Sequence, residues 1–207
     1  MRVATTFGAE PLLPLIPTRE PMPTRASPPC RAPVLDADAL SQALHELGLA
    51  AARQDTPRRI LDLLLEGVRR GAGLERAMVA GLADNQRRFR AKQVTGEGCD
   101  GWLEGFELPA SSPEQPHVFD YVIRSREPLW MGTPASCTLS DLITRPMRHW
   151  FGQGMFFVAP LMAGNRAVGV LYADGRPSGR ALRHEQFVAF RHLGKAAGRA
   201  LEALARR

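Results

Sequence analysis

The sequence predicts an α+β domain, an antiparallel sheet of five or six strands with a helical layer on one face and loops plus short helices on the other. Three observations carry that expectation. Residues 155–175, MFFVAPLMAGNRAVGVLYADG, hold two apolar runs on either side of Gly164-Asn165, a dipeptide that supplies the positive φ of a two-residue hairpin turn. Two amphipathic helical patterns precede the first strand pattern, and a third, from Arg183 to Arg207, closes the chain.

The hairpin is the centre of the fold. With Gly164 and Asn165 as the turn, Ala163 faces Arg166, and the pairing runs back through Leu161 with Val168, Ala159 with Val170 and Phe157 with Tyr172. Side chains alternate across a strand, so Phe157 and Tyr172 share one face in this register, while Phe156, Val158, Pro160 and Met162 lie opposite Ala167, Gly169, Leu171 and Ala173 on the other. Neither face is polar enough to meet water, so other structure must cover both.

From the N-terminus, residues 1–35 carry Pro11, Pro14, Pro17, Pro21, Pro23, Pro28, Pro29 and Pro33 and read as a disordered tail or linker. The folded domain is expected over residues 36–207. Asp36 or Asp38 caps a helix with the stripe Leu40, Leu44, Leu47 and Ala51. Thr56-Pro57 opens a second, with Ile60, Leu61, Leu64, Leu65 and Val68 inward and Gly71 and Gly73 at its end. Arg76 to Leu82 and Arg87 to Val94 read as a strand pair turning at Asp84-Asn85.

Gly96, Gly98, Gly101 and Gly105 around Trp102 and Phe106 mark a shaped loop. A helix beginning at Pro113 or Pro116 runs to Ser125, and Pro128 to Met131 is a short strand. Leu139 to Ile143 forms a short helix that Pro146 ends. In the last helix Phe187, Phe190, Gly194, Ala197, Leu201 and Leu204 form a heptad-like seam, which covers the sheet of its own subunit or, in the second reading, also meets a partner helix in a homodimer.

The formal charge is +6, yet the arginines are scattered and no helix-turn-helix, zinc-finger or aromatic RNA-binding pattern organises them, so no specific nucleic-acid partner is expected. Cys30, Cys99 and Cys137 are odd in number and widely spaced, which suits reduced thiols in the cytoplasm better than disulfides or zinc. No run approaches the ~18 apolar residues of a membrane span, so no membrane partner is expected. The serines lie in turn-like company, the histidines lack metal-ligand spacing, and no phosphate loop follows the glycines, so catalytic residues, metal and cofactor are all expected to be absent.

Pro160-Leu161, Gly164 and the run Val168 to Asp174, Val-Gly-Val-Leu-Tyr-Ala-Asp, resemble the last hairpin of a GAF domain, a resemblance that covers about Asp36 to Arg207. The wording FFVAPL and GVLYAD also resembles the GAF-like domain that bacterial signalling proteins carry beside HDOD modules. The resemblance implies a cavity for a small molecule. Trp102, Trp130, His149, Trp150, Phe157 and Tyr172 offer aromatic walls for it, and Arg90 or Arg148 an anion contact; these same aromatics would equally serve as core. Thr138 after Cys137 departs from the bilin-attachment pattern, and the Asn-Lys…Phe…Asp-Glu pattern of cyclic-nucleotide-binding relatives is not found.

The expectation is a non-enzymatic sensory module of bacterial signal transduction, cytoplasmic, binding an unidentified small molecule and relaying through its terminal helices. Homodimerisation through those helices, and an HDOD-type or other signalling partner, belong to the same picture. Two alternatives stand beside it. One is a homodimerisation or protein-interaction module with no ligand, whose core is filled where a sensor has a cavity. The other is a thiol-based free methionine sulfoxide reductase using Cys99 and Cys137, although the family's usual cysteine cluster is not matched.

Overall fold

The computed structural model describes residues 34–83, 88–110 and 116–206, which fall within one unit, Ala32–Arg207. The proline-rich segment before residue 34, the turn at Asp84-Asn85 and a helix start at Pro113 lie outside the described residues.

Helix α1 (Ala37–Arg53) starts because Asp36 accepts hydrogen bonds from the backbone N–H groups of Asp38 and Ala39, both 3.0 Å, satisfying donors the helix itself cannot pair. Helix α2 (Pro57–Glu66) is capped by Thr56, whose hydroxyl oxygen accepts from the Arg59 N–H at 3.2 Å, and runs on into a π-helical turn at Gly67–Gly71. Helix α6 (His184–Ala205) closes the layer. Leu47, Ile60, Leu64, Val68, Phe190, Leu193 and Ala197 pack together there, buried against one face of the sheet.

The sheet has six antiparallel strands: β1 (Arg76–Ala83), β2 (Arg88–Thr95), β3 (Glu107–Pro109), β4 (Leu129–Met131), β5 (Phe156–Ala163) and β6 (Arg166–Asp174), in the spatial order β3-β2-β1-β6-β5-β4. Its second face is covered by the short helices α3 (Trp102–Gly105), α4 (Val118–Ser125) and α5 (Arg145–Phe151) and by a 3-10 helix at Pro134–Leu142. Phe89, Phe119, Val122, Met131, Met147 and Phe156 fill that side. The predicted class, strand number and layering are all present.

The register of the central hairpin departs from expectation. Ala163 does face Arg166, and Gly164 takes φ +60° in the turn, but a bulge between Leu161 and Met162 shifts the pairing by one residue. Leu161 pairs with Gly169, Ala159 with Leu171 and Val158 with Tyr172, while Phe157 pairs with Ala173. Phe157 and Tyr172 therefore lie on opposite faces, Phe157 toward the helices and Tyr172 toward α3 and α5. One extra residue is enough, since a one-residue slip exchanges the faces of a strand.

Two smaller expectations also change. Pro146 sits in the first turn of α5, where its missing N–H costs nothing, and so begins a helix rather than ending one. The glycine-rich stretch contains α3 and leads directly into β3, which pairs with β2.

The seam of α6 is buried within its own subunit: Phe190 and Ala197 are fully covered, and Leu201 and Leu204 pack on the same helical core. Gly198 allows the closest approach, for a Cβ there would stand 2.3 Å from the carbonyl oxygen of Met162 in β5. Gly198→Ala is expected to lower stability by about 1–3 kcal/mol, because backbone must move to make room. Gly48→Ala, in α1 with nothing within 4 Å of the added methyl, is expected to raise it by about 0.5–1 kcal/mol. Urea unfolding of both variants measures the two opposite signs.

Candidate functional site

The residues with the most chemistry lie where β1 begins and β6 ends. Arg76 and Asp174 are register partners on those strands and are only 7% and 1% exposed. The Arg76 Nε donates to Asp174 Oδ1 at 3.0 Å, and its Nη2 donates to Oδ2 and to the Phe151 carbonyl at 3.4 Å. The Tyr172 hydroxyl donates to Asp174 Oδ2 at 2.6 Å, and the Arg176 N–H to Oδ1 at 3.1 Å. Asp174 is thus surrounded by donors, the condition under which a buried carboxylate is tolerated.

The Arg76 guanidinium also lies under Trp102, 4.8 Å from the ring centroid. Burial works against its charge, but the hydrogen bonds and charge of Asp174 outweigh it and hold the group above its ordinary value. Tyr172, fully buried, is pushed well up, first by burial and then by the Asp174 charge. Its hydroxyl stays protonated and acts as a donor.

Around this polar knot the rings pack on one another. Phe151 stacks on Tyr172 with centroids 4.0 Å apart, Phe106 stacks on Phe151 at 5.7 Å, and Trp102 meets Tyr172 at 6.0 Å and Phe151 at 5.6 Å. Trp150 closes over Trp102 and Phe106 at 6.4 and 5.7 Å. Trp102, Phe106, Phe151 and Tyr172 are all buried, so aromatic side chains fill this face.

Of the residues singled out in the sequence, Trp102, Trp150 and Tyr172 come together here. Trp130 and Phe157 do not: they pack with Phe187 of α6 on the helical side, 5.4 Å from each other and 6.0 and 5.1 Å from Phe187. Arg148 and His149 point outward from α5, His149 edge-on to Trp150 at 5.5 Å. Arg90 is exposed on β2, 3.2 Å from Glu107 of β3. Arg76, Phe106, Phe151 and Asp174 are not among the candidate binding residues read from the sequence, although Phe106 and Asp174 are named there in a loop and a motif. The readable signal was Tyr172-x-Asp174, two polar groups on one face of a strand that is otherwise buried.

Cys99 is half-buried, its Sγ 3.7 Å from the Thr95 carbonyl oxygen, and burial pushes its thiol up to about 11, with Arg76 pulling back only in part. Cys137 is exposed on the 3-10 helix. Among the described residues no group of three or more His, Cys, Asp or Glu is placed to hold a metal, and no helix is long and apolar enough to cross a membrane.

Two outcomes follow from this geometry. Asp174→Ala is expected to cost about 3–5 kcal/mol in urea unfolding because it strands a buried guanidinium, and Arg76→Met added to it is expected to recover part of the loss. A cost below about 1 kcal/mol would mean that the pair does not constrain the fold. In a Cys30→Ser background at pH 8, Cys137 is expected to react with a disulfide reagent much faster than Cys99. Burial that pushes the Cys99 thiol up to about 11 leaves very little of it as thiolate at that pH and covers its sulfur in part, whereas Cys137 is exposed.

A search of curated proteins found no match. Solved structures share the fold at low identity. A methyl-accepting chemotaxis protein superposes with a TM-score of 0.61 at 17% identity, over 80% of this chain and 98% of that one. A GAF domain/HD domain protein from Geobacter sulfurreducens gives 0.60 at 15%, over 76% and 99%. The phycocyanobilin-bound GAF domain of a cyanobacterial phytochrome gives 0.58 at 13%, over 81% and 96%. The family model of the GAF domain matches residues 56–201. That match spans most of the chain, from the cap of α2 to the seam of α6, and the chain belongs to the GAF domain family.

Proposed function

We propose that this chain is a non-enzymatic regulatory module of bacterial signal transduction that works by association with another protein rather than by enclosing a small molecule. The observation that carries the reading is the filled face beneath α3 and α5. Trp102, Phe106, Phe151 and Tyr172, stacked around the Arg76–Asp174 pair, are all buried and fill the side of the sheet where Trp102, Trp150 and Tyr172 were expected to wall a cavity. The state of Cys99 speaks against thiol catalysis, because a nucleophilic cysteine needs an accessible thiolate and this one is raised and half-covered. A cytoplasmic setting suits the free thiols of Cys99 and Cys137.

A ligand-binding sensor is the second reading, and the relatives favour it: one GAF-fold structure is described with bound biliverdin and another as phycocyanobilin-bound. In this chain a planar ligand on the aromatic face would have to displace Trp102 or Phe151. It would act on signalling only through different affinities for two arrangements of the helical layer. A dimer through the terminal helices would have to use faces of α1 and α6 other than the buried seam.

Native mass spectrometry of the protein purified from its source, before and after denaturation, separates the readings. The expected spectrum is the polypeptide mass or a whole multiple of it, with nothing released on unfolding. A stoichiometric small molecule released on unfolding would overturn the association reading in favour of the sensor.

A further inference from the structure

A groove of about 350 Å³ runs between α6 and the outer half of β5, on the side of the molecule away from the aromatic knot. Its floor is apolar, made by Pro128, Ala159, Pro160 and Met162. Its walls are cationic. Arg191, Lys195 and Arg199 stand four residues apart along α6, and Arg126 faces them from beyond the end of α4.

These charges are held ready rather than cancelled. Lys195 and Arg199 are exposed and form no ion pair with a described residue. Glu202, the one acid among the described residues that line the groove, is already paired to Arg206 at 2.5 Å. Arg126 is oriented by Asn165, donating to its side-chain and backbone oxygens at 3.4 and 3.3 Å. The Arg191 guanidinium lies 5.8 Å from the Phe187 ring with its Nε buried and unpaired.

The regular pairing of β5 ends at the same place, where Arg126 and Pro128 line the groove. Strand β4 pairs only with Phe156, Phe157 and Val158, so Ala159 to Ala163 have no strand beside them on that side among the described residues. Four residues of helix rise about 6 Å. Alternate residues of an extended chain are about 6.6–6.8 Å apart, close to the spacing of the cations along α6.

We infer that this groove docks an extended acidic segment of a partner protein, with carboxylates at alternate positions meeting Arg191, Lys195 and Arg199 and apolar side chains on the Pro160–Met162 floor. Charge complementarity selects this occupant. It also argues against the chain's own N-terminal residues 1–33, which carry Arg2, Arg19, Arg25 and Arg31 against only Glu10 and Glu20. The inference rests on the association reading above and names the surface and the chemistry that reading leaves open.

The probe is a fluorescein-labelled ten-residue peptide alternating Glu and Leu, titrated with the full chain at 150 mM salt and read by fluorescence anisotropy. Saturable binding is expected, weakened at least tenfold by Lys195→Glu with Arg199→Glu. Arg58→Glu with Arg59→Glu, the same charge change on exposed positions of α2, is expected to leave it within twofold. Circular dichroism and unfolding midpoints unchanged from the parent establish that both double variants are folded.

Equal weakening by the two double variants would overturn the inference, reducing it to attraction by net charge. No binding up to millimolar protein would overturn it too. Binding to phosphatidylserine vesicles but not to the peptide would give the groove to a lipid surface instead. A small molecule in the native mass spectrum bears on the association reading alone, whereas the peptide titration bears on the groove, so the two failures are distinguishable.

Discussion

The Arg76–Asp174 pair ties the first strand of the sheet to the last, and the loops on the second face are built around it. The two residues stand opposite each other where β1 and β6 pair, so the sheet itself sets their separation. Their desolvation would be prohibitive alone; it is offset by the donors that converge on Asp174 and by the Trp102 ring over the guanidinium. The same arginine reaches the Phe151 carbonyl, as does Arg176 at 3.0 Å, so the end of α5 is fixed to the sheet by the same knot. With α5 fixed, Phe151 stacks on Tyr172 and leaves little room for anything else.

The helical layer obeys a different constraint, which is closeness of backbone. Gly198 lets α6 run against β5 at Met162, and Gly67 lets α2 approach Ala43 of α1 and Leu193 of α6, where a Cβ would stand 2.8 Å from each. This packing turns Phe190, Leu193 and Ala197 inward and leaves Arg191, Lys195 and Arg199 along the outer flank of the helix. The apolar seam and the cation ladder are therefore two faces of one amphipathic helix.

Much of this was legible in the sequence, and for local reasons. Asp36 and Thr56-Pro57 announce helix starts because caps act within one turn, and the leucine stripes announce the buried face because helix periodicity is local. The hairpin was legible from Gly164-Asn165, but its bulge was not, since the extra residue on β6 is an ordinary apolar one in an apolar run. That single residue moved Phe157 to the helical side and so removed it, with Trp130, from the aromatic group around Tyr172. The Arg76–Asp174 pair spans 98 positions, and nothing local distinguishes Asp174 before Gly175 from the start of a turn.

The two faces of the sheet differ in a way that bears on the association proposed above. On the aromatic side a change would have to break a buried ion pair and unstack several rings together, which ties any motion there to a large free-energy cost. On the helical side the groove is preformed and Arg126, Lys195 and Arg199 on its walls are exposed, so the proposed occupant needs little rearrangement of the domain. Binding energy that is not consumed in reorganisation is available for affinity. In the reading proposed above, association along α6 is thus the lower-cost mode, and it would act on the helix that belongs at once to the core and to the surface.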